Sequence, residues 1–222
     1  MRVLVVNFKA YPTAFDSTAE ALAREASRLE SGLPVRVILA PPAPVVPRVL
    51  AIHGDVYTQH LDPVGMGAHT GRIPAEAARA LGVRGSLVNH SERKMVLRDV
   101  AAVVSKLREQ GLESIVCADT PAEAAAAAYL KPTMVAVEPP ELIGTGIPVS
   151  KARPEVITES LEAIRKVDPA LPLLAGAGIS SPEDAVRAVE LGASGVLVAS
   201  IVMKSRDPPA SMRSLAEALA TA

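Results

Sequence analysis

The chain has 222 residues, a length that allows one α/β barrel domain or two smaller domains. Hydrophobic residues make up 49% and aromatic residues only 2%, so the core must be built from aliphatic side chains. Because 23 Lys and Arg residues nearly balance 24 Asp and Glu residues, no field of one sign directs the whole surface to nucleic acid or an anionic membrane, and any anion site must be local.

Eight short aliphatic runs predict β-strands. Each run is continuously apolar rather than alternating in polarity, which is typical of parallel strands buried on both faces. The runs are Val3–Asn7, Val35–Leu39, Asp55–Gln59, Ser86–His90, Ser114–Ala118, Met134–Glu138, Leu171–Ala175 and Gly195–Ala199.

Helix patterns alternate with these runs. Thr18–Glu30 is amphipathic, and Asp99–Gln110 places its valines on one face. Two segments carry the pattern that begins a helix: Thr120 followed by Pro121, and Ser181 followed by Pro182 and Asp184. Since no linker-like change in composition interrupts the alternation, we expect one α/β domain over residues 1–222, a single TIM-type (β/α)8 barrel with eight parallel strands. An open doubly wound sheet is the alternative.

Polar residues follow the first predicted strand. In barrels of this kind the active site lies where strands end, so a polar residue there is a candidate site residue. Asn7 and Lys9 follow strand one as NFK. An amide and an ammonium that converge on the barrel mouth can bind an anionic substrate and polarise its oxygen. A solvated loop charge is the alternative for Lys9.

His90 ends the fourth predicted strand, within VNHSER. A lone histidine is more often structural than catalytic. Here the following residues Ser91 to Arg93 begin a helix, whose N-terminal positive potential disfavours an imidazolium. We therefore expect a neutral imidazole that can donate a hydrogen bond to a carbonyl group.

Glu138 ends the sixth predicted strand and precedes two prolines. A carboxylate at the end of so apolar a strand requires a partner or a function. The alternatives are an ion pair with Lys9 or Arg93 and a role as a general base. The next segment, PPELIGTGIPVS, is proline-rich at its ends and glycine-rich in the middle, a pattern that favours a hinged lid whose amides approach an anion closely.

Small residues follow the last two predicted strands, as AGAGIS (Ala175–Ser180) and VAS (Val198–Ser200). Barrels often bind phosphate at these two loops, through backbone N–H groups that small residues leave accessible. Tight packing of a turn is the alternative interpretation.

The remaining candidates carry little signal. His53, His60 and His69 have no metal-ligand spacing and are interpreted as structural or surface residues, as is Cys117. One cysteine allows no internal disulfide and fits a reducing cytoplasm. No stretch reaches the roughly 18 apolar residues of a membrane span. We therefore expect a cytoplasmic protein with no membrane and no nucleic-acid partner.

The motifs NFK, NHSER, AVEPPELIGTG, AGAGIS and LVAS, taken in order, resemble those of triosephosphate isomerases. The resemblance extends from Asn7 to Ser200, and the sequence is similar to the shorter archaeal branch, in which PPELIGTG replaces a tryptophan-containing lid. It departs from the commoner family pattern in AGAG and VAS, where other members have a Gly-Gly-Ser and a Gly-Gly turn.

The resemblance implies a function: reversible interconversion of dihydroxyacetone phosphate and D-glyceraldehyde 3-phosphate through an enediolate, in glycolysis and gluconeogenesis. It implies that Glu138 moves the carbon-bound proton, that neutral His90 polarises the carbonyl, and that Lys9 and Asn7 stabilise the enediolate. Backbone amides would hold the phosphate, and they belong to the following residues: Ile143, Gly144, Gly178, Ala199 and Ser200. The resemblance implies neither a cofactor nor a metal. It also implies that the chain assembles as a homo-oligomer, and specifically as a homotetramer.

Two other functions compete with this one. Another phosphate-binding barrel isomerase, acting on a larger phosphorylated ligand, would share the two small-residue loops without requiring Lys9, His90 and Glu138 together. A catalytically silent barrel that serves as a binding partner would require none of the three.

Overall fold

Eight parallel strands form one sheet that curves into a nearly closed barrel. The protein is described by a computed structural model, which covers residues 1–142 and 148–222. The strands are β1 (Arg2–Asn7), β2 (Val35–Ala40), β3 (Tyr57–Thr58), β4 (Gly85–Val88), β5 (Glu113–Ala118), β6 (Met134–Val137), β7 (Leu173–Ala175) and β8 (Gly195–Val198). Their order in the sheet is β2-β1-β8-β7-β6-β5-β4-β3. A parallel bridge between Leu39 and Val56 joins the two outer strands, so the sheet returns on itself.

Helices lie between the strands. In the described residues they are α1 (Thr18–Gly32), α2 (Val46–Leu50), α3 (Ala75–Leu81), α4 (Leu97–Glu109), α5 (Pro121–Tyr129), α6 (Val149–Ala152), α7 (Pro154–Arg165), α8 (Pro182–Glu190), α9 (Ser200–Met203) and α10 (Pro208–Thr221). Short 3-10 helices cover Pro12–Ala14, Ala43–Val45, Ser91–Arg93 and Pro140–Leu142. Within the described ranges, no helix combines the length and the apolar character needed to cross a membrane.

The predicted fold class is confirmed, and so are the predicted starts of two helices. Thr120 Oγ1 accepts the Glu123 N–H at 3.2 Å and caps α5. Ser181 Oγ accepts the Asp184 N–H at 3.3 Å and caps α8. In both helices a proline occupies the first turn, where its missing N–H has no intrahelical partner to lose.

Several predicted strand ends are wrong by one or two residues. β4 ends at Val88 rather than at His90, because Asn89 has φ 63° and leaves the extended conformation. The Asn89 side chain supports this turn, since its Nδ2 donates to Cys117 O at 3.0 Å. β6 ends at Val137, one residue before Glu138. His90 and Glu138 therefore lie just beyond the sheet, at its C-terminal edge.

The strands are buried on both faces, as predicted. In β1, Val3 and Val5 pack inside the barrel, whereas Leu4 and Val6 pack against the surrounding helices. The interior cluster is aliphatic except for Tyr57, Cys117 and Met134. This arrangement leaves polar groups to the two ends of the barrel.

A charged network lies at the N-terminal end of the strands, opposite the strand ends just described. Arg36 donates to Asp55 Oδ2 at 2.6 Å and to Glu113 Oε2 at 2.8 Å, and the Tyr57 hydroxyl donates to Glu113 Oε2 at 2.8 Å. Burial alone would raise the pKa of Glu113, but the hydrogen bonds from Arg36 and Tyr57 outweigh it and the pKa lies below its usual value. This network holds β2, β3 and β5 together at the floor of the barrel.

Candidate active site

Asn7 is the last residue of β1, and its amide is held by two neighbours. Asn7 Oδ1 accepts the Lys9 N–H at 2.9 Å and a Gln59 Nε2 hydrogen at 3.2 Å. Gln59 Nε2 also donates to Ala40 O at 3.0 Å. The carboxamide of Asn7 is buried and oriented before any ligand binds.

Lys9 leaves β1 in a left-handed conformation, with φ 47°. Its side chain is mostly buried, and its ammonium lies 2.7 Å from Glu92 Oε1. The ion pair that the sequence suggested between Lys9 and Glu138 is therefore absent from the described residues, because Glu92 takes that place. Pairing with a half-exposed carboxylate keeps the ammonium at the barrel mouth.

His90 begins the 3-10 helix Ser91–Arg93, and its ring accepts a hydrogen bond from the backbone of that helix. The Glu92 N–H donates to His90 Nδ1 at 3.1 Å. Since Nδ1 is the acceptor, the ring hydrogen resides on Nε2. One backbone N–H aimed at Nδ1 thus supports a ring that donates from Nε2, and the neutral state predicted from the helix start stays a prediction.

Glu138 faces His90 across the barrel mouth. The Glu138 N–H donates to Ala118 O at 2.8 Å, which fixes its backbone at the end of β6. His90 Nε2 and Glu138 Oε2 lie 3.7 Å apart, and neither atom has a hydrogen-bond partner among residues 1–142 and 148–222. This distance exceeds that of a direct hydrogen bond. A buried donor and a buried acceptor are thus both available to a third molecule.

Gly176 provides the space for the Glu138 side chain. A Cβ atom added at Gly176 would lie 2.3 Å from Glu138 Cγ and 2.7 Å from Oε1, far inside contact distance. Sequence reasoning considered this glycine only as part of a phosphate loop. A glycine in a turn does not reveal from sequence that a side chain from another strand packs against it. The role of Gly176 was therefore missed.

Cys117 lies beside Glu138 in the barrel interior, where its burial agrees with the interpretation of it as a structural residue. Burial raises the pKa of the Cys117 thiol well above its usual value, and the Glu138 carboxylate raises it further. The thiol therefore stays protonated next to the carboxylate.

Two adjacent cavities meet at the barrel mouth, and Lys9 lines both. The first lies between the chain segments that follow β1, β6, β7 and β8. It is lined by Lys9, Tyr11, Glu138, Ala177, Gly178, Ile179, Leu197, Val198, Ala199 and Ser200. The second is lined by Asn7, Lys9, Gln59, His60, His90, Glu92 and Arg93. The two cavities together collect every predicted site residue except Ile143 and Gly144, which lie outside the described residues.

The loop after β7 bends sharply where it reaches the first cavity. Ala177 has φ 64° and Gly178 has φ 71°, two successive left-handed residues. For alanine this conformation is strained, whereas glycine adopts it freely. The turn carries Gly178 to the same cavity wall as Ala199 and Ser200, at the end of β8.

Glu92 and Gln59 were not among the predicted site residues, although the sequence carried a signal for one of them. Gln59 is the last residue of the third predicted strand, so the strand-end argument applied to it as well. Glu92 is recognisable only from its contact with Lys9, 83 residues away in the chain. Among the described residues, no cluster of three or more His, Cys, Asp or Glu side chains is suited to hold a metal ion.

Comparison with known proteins identifies relatives over almost the full length. The family model described as "Triosephosphate isomerase" matches residues 2–219. The triosephosphate isomerase of Archaeoglobus fulgidus is 49% identical over 218 residues, 97% of each chain. That of Methanothermus fervidus is 45% identical over 96% of each chain. That of Caldivirga maquilingensis is 42% identical, over 98% of this chain and 97% of its own.

Proposed function

The chain belongs to the triosephosphate isomerase family, and from this premise we propose how its residues carry out the reaction. The enzyme interconverts dihydroxyacetone phosphate and D-glyceraldehyde 3-phosphate, a step of glycolysis and gluconeogenesis. The net change moves one hydrogen from C1 to C2 and one from the C1 oxygen to the C2 oxygen. The protein must therefore supply a base for carbon and a proton shuttle for oxygen.

Glu138 is the base. Its carboxylate takes a proton from C1 of dihydroxyacetone phosphate, the C1–H electrons form the C1–C2 double bond, and the carbonyl electrons move to the C2 oxygen. The same carboxyl then returns the proton to C2. Burial, with Gly176 packed against the side chain, keeps water from competing for the proton. The free Oε2 atom is the acceptor that this step requires.

His90 is the shuttle for oxygen. Its Nε2–H donates a hydrogen bond to the substrate carbonyl and stabilises the charge that develops there. The backbone hydrogen bond to Nδ1 keeps the ring in the tautomer that donates from Nε2. As the enediolate forms, His90 Nε2 passes its proton to the C2 oxygen and receives the proton of the C1 oxygen.

Lys9 and Asn7 stabilise the enediolate from the side of β1. The Lys9 ammonium lines both cavities, so it neutralises charge on the phosphate and on the enediolate oxygen at once. Asn7 orients Lys9 by accepting its backbone N–H. The ion pair with Glu92 holds the ammonium in place without burying a second charge.

Backbone amides bind the phosphate. Gly178, Ala199 and Ser200 line the first cavity beside Lys9, and their amides supply donors there. From the family resemblance we also assign Ile143 and Gly144 to this site. No cofactor or metal is needed in this proposal. Glu138 and His90 carry out every proton transfer, and the Lys9 ammonium compensates the negative charge of the enediolate.

The observation that carries this proposal is the 3.7 Å separation of His90 Nε2 and Glu138 Oε2, a donor and an acceptor buried without partners among the described residues. The test is turnover of D-glyceraldehyde 3-phosphate and of dihydroxyacetone phosphate by the purified protein in coupled assays. We expect turnover in both directions. No turnover of either triose phosphate would contradict the proposal and would favour a silent barrel or an isomerase for a larger phosphorylated ligand.

We further propose that the chain forms a homo-oligomer, a homotetramer, through apolar residues at α4 and α5. Val96 and Leu97 at the start of α4 and Tyr129 at the end of α5 are 61%, 60% and 72% exposed. Leu97 also lines a largely apolar groove between these two helices. Val96 and Leu97 are adjacent in the chain, and exposed apolar residues of this kind are typical of interfaces.

Light scattering measures the assembly directly. We expect four chains for the wild type and a smaller assembly for Leu97→Glu and Tyr129→Glu. Leu81→Glu, which changes an exposed apolar residue of α3, is the matched control. A wild-type monomer at micromolar concentration would contradict the proposal.

Residues 1–222 form one catalytic domain in this proposal, and the protein acts in the cytoplasm. The support is one sheet built from strands that span Arg2 to Val198, together with a single, buried and unpaired cysteine. One cooperative unfolding transition, observed by two independent probes, is the expected result. Two separate transitions would contradict the single domain.

A further inference from the structure

The proton transfers proposed above do not use Asp184, although this residue is a fully buried carboxylate near the site. Asp184 is 0% exposed and lies in the first turn of α8. A buried carboxylate is costly unless its oxygens are paired. Its partners therefore indicate what it does.

One carboxylate oxygen holds the end of the loop after β7. Asp184 Oδ2 accepts the Ser180 N–H at 3.0 Å and the Ser180 hydroxyl at 2.9 Å. Ser180 is the last residue of Ala175–Ser180, the loop that contributes Ala177 and Gly178 to the first cavity. Asp184 thus fixes the exit of this loop.

The other oxygen reaches α6. The Lys151 ammonium lies 2.5 Å from Asp184 Oδ1, and the Ser150 hydroxyl donates to the backbone oxygen of Asp184 at 3.3 Å. The preceding residue, Val149, donates its N–H to Ala177 O at 3.3 Å. Three successive residues of α6 therefore contact either the loop after β7 or Asp184, the residue that holds it.

These contacts explain how a strained turn persists. Ala177 has φ 64°, a conformation that is strained for an alanine and is retained only when neighbouring contacts determine it. The Val149 N–H holds the Ala177 carbonyl, and Asp184 holds Ser180 three residues later. Gly178 lies between these two points and lines the first cavity, where phosphate binding is proposed.

Helix capping alone does not account for this arrangement. The Ser181 hydroxyl already caps α8 by accepting the Asp184 N–H. A capping carboxylate needs no cation from another helix, yet Lys151 of α6 is paired with Asp184. The pair with Lys151 and the two bonds from Ser180 outweigh the effect of burial, so the pKa of Asp184 lies below its usual value and the group is charged at neutral pH.

We propose that Asp184 is a positioning residue for phosphate binding, which acts by tying α6 to the loop after β7 through Lys151 and Ser180. The inference rests on the proposed function, because it takes this loop as a phosphate site. Asp184 does not touch the substrate. It holds the Ala177–Gly178 turn in the conformation that presents the Gly178 amide.

Two variants test the inference from opposite sides of the ion pair. Asp184→Asn keeps the shape of the side chain and removes its charge. Lys151→Met removes the cation and keeps the aliphatic part of a side chain that is 61% exposed. Lys151→Arg is the rescue variant. Arg187→Met is the matched control, because Arg187 also lies on α8 but pairs with Glu190 at the surface.

The measurements are KM and kcat for glyceraldehyde 3-phosphate, the inhibition constant of inorganic phosphate, and the slow isomerisation of D-glyceraldehyde, which has no phosphate group. In Asp184→Asn and Lys151→Met we expect KM and the inhibition constant to rise roughly tenfold, as for the loss of one charged hydrogen bond. D-Glyceraldehyde turnover should stay at the wild-type rate, Lys151→Arg should restore phosphate binding, and Arg187→Met should change nothing.

Unchanged phosphate inhibition in Lys151→Met and Asp184→Asn would overturn the inference, and so would an equal loss of activity with both substrates. Failure of the proposed function gives a different result, since the wild type itself would then fail to turn over either triose phosphate.

Discussion

His90 Nε2 lies 3.7 Å from Glu138 Oε2, and both atoms are buried without a hydrogen-bond partner among residues 1–142 and 148–222. Unpaired buried polar atoms are costly, so two that face each other at the barrel mouth support the proposed site, in which the substrate pairs with both. The His90 tautomer, held by the Glu92 N–H, makes one atom a donor, and the carboxylate oxygen is the acceptor. A substrate that offers a carbonyl oxygen and an acidic carbon–hydrogen bond satisfies both.

Replacing His90 should impair the oxygen step. His90→Gln keeps a donor of similar length but cannot relay a proton, so we expect kcat to fall about 10²- to 10⁴-fold, the usual contribution of general acid–base catalysis. His53→Gln is the control, because His53 is buried beside Val37 and Ser27, away from the site. Steady-state kinetics of both variants decide the matter, and a His90→Gln enzyme with wild-type kcat would contradict the role.

Gly176→Ala should displace the base. The new Cβ would meet Glu138 Cγ at 2.3 Å, so the carboxylate must move, and a shift of about 1 Å can cost a rate about 10²-fold. Gly54→Ala is the matched control, because no atom lies within 4 Å of a Cβ added there. We expect kcat to fall in the first variant only. Equal kcat values would show that Glu138 tolerates the displacement and that its present position is not required.

Lys9→Ala should damage kcat and KM together. The ammonium lines both the phosphate cavity and the cavity of His90, so its loss weakens ground-state binding and enediolate stabilisation alike. Lys166→Ala, at the end of α7, removes a lysine far from these cavities and serves as the control. If KM alone rises, Lys9 is a phosphate anchor and not a stabiliser of the enediolate.

Glu113 at the floor of the barrel should make stability depend on acid pH. Its pKa is lowered in the folded state from a usual value of 4.5, so its stabilising effect is complete above that value and is lost as the pH falls through the folded-state pKa. The free energy of unfolding should therefore decline as the pH falls below about 5. Glu113→Gln should be less stable at pH 7 and should show a shallower decline, whereas the surface variant Glu159→Gln should follow the wild type. Denaturant titrations between pH 3 and pH 7 measure all three, and identical slopes would contradict the assignment.

A parallel barrel brings the C-terminal ends of all its strands to one rim, so the candidate site residues could be predicted from sequence to lie together. Lys9, His90 and Glu138 each follow a different strand and nevertheless line adjoining cavities. The continuous apolar runs likewise predicted strands buried on both faces, and the sheet confirms all eight.

The features that sequence reasoning missed depend on contacts between distant segments. The pairing of Lys9 with Glu92 joins residues 83 positions apart, and the space that Gly176 provides for Glu138 depends on the packing of β6 beside β7. The early end of β4 depends on a left-handed Asn89 whose side chain bonds to β5. Local patterns carry none of this information, because each contact exists only once the barrel has closed.

The central claim is that Glu138 is the base, and the kcat of Glu138→Asp tests it most directly. Shortening the side chain by one methylene keeps the carboxylate but withdraws it from the substrate carbon, so we predict a fall in kcat of about 10²-fold or more with little change in the unfolding temperature. Glu159→Asp, on an exposed position of α7, is the control and should retain wild-type kcat. A Glu138→Asp enzyme with full activity would contradict the assignment of the base.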